Sequence, residues 1–234
     1  MGKLNNASLP SYTMKLPVSE ITVKFRPFIV REEKLLLIAL QSKNINQIND
    51  SMRDIIRACT NNIIDTQKIC TADSEYAFLQ IRSKSVGEEV KPQITCQLCG
   101  KQSSIKIKLD EIGISTTEKE KISNIIQVTN EVSVIMRYPT IHDVDFKKGE
   151  VEIAFELAEK CIDSIIIGEE ITKTNELQKN ELSDFVNNLL PDQFAKILEY
   201  FKNIPELQYN IEVKCPHCGE RINVVMKTVS DFFP

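Results

Sequence analysis

Apolar residues recur along residues 45–59 at steps of three and four: Ile45, Ile48, Met52, Ile55, Ile56 and Cys59. That spacing lines one face of an amphipathic helix. Upstream, Glu32 and Glu33 precede the apolar block Leu35 to Leu40, and acids at that place favour a helix start from Arg31 through the helix dipole. A third helix is expected over Glu75 to Lys84, with Asp73 or Ser74 as its cap. Ahead of all three, Pro10, Pro17 and Pro27 bracket the alternation Ile21, Val23, Phe25, which reads as an extended arm or edge strand.

In the second half, Ile105, Ile107 and Leu109 alternate with lysines, the mark of a half-buried strand. Val132, Val134 and Met136 read as a strand ended by Pro139. Val151 to Ile166 reads as a helix turning Ala154, Leu157, Ala158, Cys161 and Ile165 inward. Two more helices are expected, Glu181 to Leu190 and Pro191 to Asn203. The second aligns Phe194, Ile197, Leu198 and Phe201, with Pro191 in its first turn and Pro205 as a stop. Strands follow at Gln208 to Lys214 and Arg221 to Lys227. The tail Asp231-Phe232-Phe233-Pro234 suits either a core plug or a docking peptide.

Composition narrows the class. The chain has 234 residues, and 42% apolar content can fill a core. A net charge of -4 gives no overall basic field to hold phosphate backbones. Leu35 to Leu40 is the longest apolar run, far short of the roughly 20 residues that cross a bilayer. Met1 to Ser8 lacks a signal-peptide pattern, so a soluble, intracellular protein is expected. Seven cysteines are an odd number, and with no export signal this favours metal over a disulfide framework.

Four of the seven stand in two similar settings, Ile94-Thr95-Cys96-Gln97-Leu98-Cys99-Gly100-Lys101 and Val213-Lys214-Cys215-Pro216-His217-Cys218-Gly219-Glu220. Each reads as strand, CxxC, glycine, strand. One such turn supplies two thiolates, and two supply the four soft ligands that zinc takes in a closed tetrahedron. Cys96, Cys99, Cys215 and Cys218 are therefore the expected ligands of one structural zinc. Positions 100 to 214, 115 residues, lie between the pairs, where a compact zinc ribbon has roughly 15 to 20. Loop closure grows only logarithmically in cost, so an insertion of that length is admissible. The expected fold class is α+β: mainly helical, with a small antiparallel zinc-ribbon-like sheet carrying both CxxC knuckles. Its parts are an extended arm (1–30), a helical segment (31–92), a split zinc-ribbon module (93–109 and 206–230), a mainly helical insertion (110–205) and an aromatic tail (231–234).

A redox CxxC needs a low-pKa thiol at a helix start after a βαβ lead-in, whereas both pairs sit between strands. His217 is a competing ligand or points to solvent. His142 near Asp143 and Asp145 has no patterned nucleophile beside it. Cys59, Cys70 and Cys161 read as small core residues. Lys119, Lys121, Lys147 and Lys148 read as solvated charge. A second reading, a zinc-ribbon nucleic-acid or transcription-associated module, would use Lys101, Lys106, Lys108, Lys214 and Arg221 as a basic strip.

Several stretches resemble the baseplate protein family of T-even-type contractile-tailed phages. They are Leu9-Pro10-Ser11-Tyr12 through Lys15-Leu16-Pro17, Phe25-Arg26-Pro27-Phe28, Arg31 to Leu37, Phe78 to Gly87, both cysteine pairs, Glu181 to Phe185, Phe201 through Pro205, and Asp231-Phe232-Phe233. Asp110 to Ile171 is the least diagnostic part. The family pattern places a glycine-containing turn after the second proline, where this chain has Val18-Ser19-Glu20. The resemblance implies a non-enzymatic hub component or assembly chaperone of the tail baseplate. Its implied partners are other baseplate hub proteins, with no nucleic acid, membrane span or small-molecule substrate. It would work in the host cytoplasm during assembly and could remain in the virion tail. Phe25 to Lys34 stands equally as a contact surface and as a strand leading into a core helix.

Overall fold

Residues 45–59 form a helix as their spacing predicts, and its start is built by Asn44, whose Oδ1 accepts the backbone N–H groups of Asn46 and Gln47. A computed structural model gives the structure over residues 9–115, 123–143, 148–178, 180–227 and residue 229. In chain order the first part comprises β1 (Tyr12–Lys15), β2 (Thr22–Phe25), α1 (Val30–Ser42), α2 (Ile45–Cys59) and α3 (Thr71–Ser85). It continues through β3 (Glu89–Val90), β4 (Gln93–Thr95), β5 (Gln102–Ser104), β6 (Ile107–Lys108), a 3-10 turn (Leu109–Glu111) and β7 (Gly113–Ser115). Then come β8 (Ile125–Gln127), β9 (Val132–Met136), α4 (Glu150–Cys161), β10 (Ile162–Ile167) and β11 (Glu170–Lys173). A 3-10 turn (Thr174–Glu176), α5 (Glu181–Asn187), α6 (Pro191–Phe201), β12 (Glu206–Lys214) and β13 (Arg221–Met226) complete the described elements, none of whose helices is long and apolar enough to cross a membrane.

The chain divides into two units, Met1–Ser115 with Glu206–Pro234, and Thr116–Pro205. The first is organised on α3, which is buried nearly all round at Ala72, Asp73, Ala77, Phe78, Leu79 and Ile81. Its two ends hold the N-terminal segment. Near its start, Asp73 accepts the backbone N–H groups of Val18 and Ser19, both at 2.9 Å. At its last residue, the Ser85 hydroxyl accepts the Phe28 N–H at 2.9 Å. Residues 12–25, expected as an extended arm, are a hairpin in which β1 pairs antiparallel with β2 and Met14, Leu16, Val23 and Phe25 are buried. The hairpin turns without glycine because Glu20 takes a φ of 59°. Asp73, expected to cap α3, spends both oxygens on that turn instead.

The second unit combines α4, α5 and α6 with strands, of which β9 alone was expected. It contains a four-stranded antiparallel sheet in the order β11-β10-β9-β8. Val134, Met136, Ala158, Cys161, Ile162, Phe194 and Ile197 are buried in its core, and Phe155 stacks on Phe194 with ring centroids 4.3 Å apart. The helix expected over Val151 to Ile166 stops at Cys161, and Ile162–Ile167 is a strand. Asp163, Ser164 and three consecutive isoleucines are poor helix material, and the β-branched run is stiff in the extended form.

The fold class is corrected with it. Among the described residues thirteen strands lie in five antiparallel sheets, so the protein is mixed and not mainly helical. The two knuckles do not share a ribbon sheet either: one tips the β4-β5 hairpin, the other joins β12 to β13 in the sheet β13-β12-β7.

One device recurs in both units. After β2, the Arg26 N–H bonds the Cys59 carbonyl, while its guanidinium bonds the Pro27 carbonyl and clasps Glu32 through two bonds of 2.9 and 2.7 Å. After β9, the Arg137 N–H bonds the Cys161 carbonyl, while its guanidinium bonds the Tyr138 carbonyl and clasps Asp143 at 2.7 and 2.9 Å. Glu32 also accepts the Ile29 N–H, and Asp143 the Thr140 N–H, each three residues back. Such two-pronged pairs fix geometry as well as charge. The bonds from Arg26 hold Glu32 below the usual carboxylate range. For Asp143, burial works upward, but the bonds from Arg137 and Thr140 outweigh it and the net direction is down.

Both carboxylates thus stabilise the fold above the ordinary carboxylate range, and that contribution disappears as pH falls through their lowered values. Urea midpoints of the parent chain should fall more steeply below about pH 4 than those of Glu32→Gln, with the two curves converging in acid. Arg26→Ala, which strands a buried carboxylate, should cost roughly 3 kcal/mol at neutral pH.

Candidate metal centre

Each CxxC knuckle is built by its own backbone. In the first, the Cys96 N–H bonds the Lys101 carbonyl at 2.9 Å and the Gly100 N–H bonds the Cys96 carbonyl at 2.9 Å. In the second, the Cys215 N–H bonds the Glu220 carbonyl at 2.8 Å and the Gly219 N–H bonds the Cys215 carbonyl at 2.9 Å. Gly100 and Gly219 close these turns with φ of 69° and 80°, the left-handed region that glycine enters without a Cβ penalty.

The two knuckles meet. All four sulfurs lie within 4.8 Å of one another, with Cys96 to Cys218 and Cys99 to Cys215 both at 3.8 Å. Four thiolates around one ion at about 2.3 Å would stand roughly 3.8 Å apart along each tetrahedral edge. The spacing therefore fits a metal ion held between the hairpins, and all four cysteines are free thiols. Cys96 and Cys215 are buried, Cys99 is half-buried and Cys218 is exposed, so the cluster is floored by protein and reached from one side.

The electrostatics suit a cation. The Cys215 thiol is held down to about 6, first by the backbone N–H groups of Cys218 and His217 directed at its sulfur. For Cys218 the Glu220 N–H works downward, but desolvation and the sulfurs of Cys215, Cys99 and Cys96 push it up to about 12. The first thiolate forms easily and opposes the next. A bound cation would remove that opposition.

His217 does not join the sulfurs and is exposed. Its Nε2 lies 3.1 Å from the Gln102 carbonyl, linking the second knuckle to the strand after the first. Of the five residues of the possible basic strip, Lys106 pairs with Glu89 at 3.6 Å and Arg221 with Glu212 at 2.8 Å, which reduces the strip's net charge. His142 is exposed and follows the Thr140 hydroxyl, while its neighbour Asp143 is committed to Arg137. Cys59 and Cys161 are buried, Cys70 is half-buried, and burial pushes each thiol up to about 12. Lys148 pairs with Glu156 and, at 3.9 Å, with Glu152. Lys119, Lys121, Asp145, Lys147, Phe232 and Phe233 lie outside the described residues. The two arginine clasps were not expected from sequence, because each joins groups that only the folded chain brings together.

What the fold and site define is a two-unit protein with a surface cluster of four thiols joining two hairpins. The chain belongs to the T4 bacteriophage base plate protein family, which it matches over residues 9–234. A relative in Enterobacteria phage T4, the baseplate hub assembly protein gp26, is 22% identical over 222 residues, covering 95% of this chain and 97% of its own length. No solved structure matches the chain.

Gly219→Ala should lower stability by about 1–2 kcal/mol through its positive φ alone, since the nearest atom a new Cβ would meet is 3.9 Å away. Gly113→Ala, at an ordinary φ in β7, is the matched control and should leave the thermal midpoint nearly unchanged.

Proposed function

We propose that this chain is a non-enzymatic baseplate hub assembly protein, held in shape by one structural zinc on Cys96, Cys99, Cys215 and Cys218, and working by contact with other hub proteins. The observation that carries the assembly role is the family match over nearly the whole chain, together with a hub assembly relative of equal extent. The observation that supports the zinc is the sulfur spacing of 3.8 Å. Four thiolates close the coordination shell and leave no position for water or substrate, which argues for a structural ion over a hydrolytic one. The protein would act in the host cytoplasm as the hub forms, as a chaperone that departs or a component that stays.

Elemental analysis of the native, untagged protein should return one zinc per chain. Cys96→Ser and Cys215→Ser should each be insoluble, because the binding energy of a structural ion is also folding energy. Protein without zinc, iron or a comparable metal would refute the site. A phage carrying a nonsense codon early in this gene should accumulate tail intermediates without hubs. Complete baseplates under those conditions would refute the assembly role, and mass spectrometry of virions beside intermediates would separate component from chaperone.

A further inference from the structure

The sheet of the second unit ends in an edge whose sequence is complementary to itself. Among the described residues β11 pairs with β10 alone, so one side of Glu170–Lys173 has no strand beside it. Ile167 and Glu170 close a two-residue loop made of Gly168, at a φ of 61°, and Glu169. The closing pair of such a loop exchanges hydrogen bonds, and bonded and non-bonded pairs alternate along an antiparallel ladder. Ile166 and Ile171 are therefore a non-bonded pair, and the N–H and C=O of Ile171 point outward, as do those of Lys173. Side chains alternate as well. Ile165 and its partner Val134 lie in the core, which puts Ile166 and Ile171 on the opposite face, where Ile171 is 60% exposed. Glu169 stands two residues before Ile171 and Lys173 two after it; both are exposed, and among the described residues neither forms an ion pair.

We propose that β11 pairs antiparallel with β11 of a second copy of this chain, about a two-fold axis at Ile171, so that two four-stranded sheets become one. In that register Ile171 exchanges both outward hydrogen bonds with the partner's Ile171, and the two side chains cover each other. With Ile166 on either side they make a row of four isoleucines across the joint. Glu169 lies opposite the partner's Lys173, and Lys173 opposite the partner's Glu169. An acid at the start and a base at the end call for a strand of reversed charge order, which this same strand supplies when it runs antiparallel. Other registers are worse. A slip of one residue sets side chains on opposite faces, and a slip of two puts Glu170 opposite the partner's Glu170 or Ile171 opposite the partner's Lys173. An edge that pairs with itself closes at two copies. This surface depends on neither the zinc nor the assembly role.

Sedimentation velocity of the purified full chain in reducing buffer, from about 1 to about 500 μM, should show a monomer passing to a dimer and nothing larger. Ile171→Asp, which faces two carboxylates at the axis, should weaken the dimer at least about tenfold with circular dichroism unchanged. Glu169→Lys alone and Lys173→Glu alone should each weaken it at least about threefold, because each sets like charges opposite one another on both sides of the axis. Combined in one chain, the two changes reverse each ion pair without removing it, and should restore the parent affinity within about twofold. If Ile171→Asp disturbs folding, the charge exchange still decides, since both of its sites are exposed. A chain that stays monomeric over that range, species larger than a dimer, a dimer indifferent to Ile171→Asp, or a double variant no tighter than its singles would each overturn the proposal.

Discussion

The pairing of β7 with β12 is the interaction on which the rest of the first unit depends. Ser115 ends β7 and Glu206 begins β12, and these two residues are register partners in one antiparallel ladder. The 90 residues between them, 116 to 205, therefore leave and return at a single closed gate. Once that gate is shut, β12 runs on from Leu207 through Lys214 and delivers Cys215 and Cys218 beside the β4-β5 hairpin tip. The ladder bears the entropic cost of the long excursion, so the sulfurs need only join two nearby tips. This differs from a ribbon whose two knuckles share one sheet, and it explains how a cluster of ordinary geometry spans so wide a gap in sequence.

The arginine clasps show the same economy inside each unit. A hairpin ends, an arginine six residues ahead of a carboxylate turns back on it, and its own N–H ties the strand end to the cysteine that closes a helix, α2 in one unit and α4 in the other. The guanidinium satisfies half-buried carbonyls at Pro27 and Tyr138 as well, so few polar groups are stranded where strand gives way to helix. Cys59 and Cys161, buried beside these clasps, remain protonated far above neutral pH and behave as small apolar residues. Cys215 of the cluster, by contrast, is held down to about 6 by the backbone N–H groups of Cys218 and His217.

What could be read from the sequence was local. The cysteine quartet was legible because each CxxC-Gly turn carries its whole pattern within a few residues. The helices α1, α2 and α6 were legible from spacing, with acids at the start of α1 and Pro191 in the first turn of α6, whereas the Asn44 cap of α2 was not read. The strand β10 was not, because Cys161 and Ile165 continue a four-residue spacing that belongs equally to a helix, and only the pairing of β10 with β9 and β11 decides it. Asp73 was misread for a related reason: an acid in a first helical turn looks like a cap, and its true partners, Val18 and Ser19, lie more than fifty residues away. The mixed fold class escaped because five short sheets leave five weak alternations in place of one strong one. The proposed function rests on likeness of sequence, since no single side-chain arrangement names a baseplate role.

The order of synthesis gives the split first unit a further meaning. Every strand of the second unit's sheet leaves the ribosome before β12 does, so that sheet can close while its host is still incomplete. Until β12 emerges, β7 is an edge without its neighbour, and until residue 218 emerges the first knuckle lacks part of the four-sulfur cluster. A nascent chain that lacks residue 218 is therefore unable to bring the four sulfurs together, however far its second unit has folded.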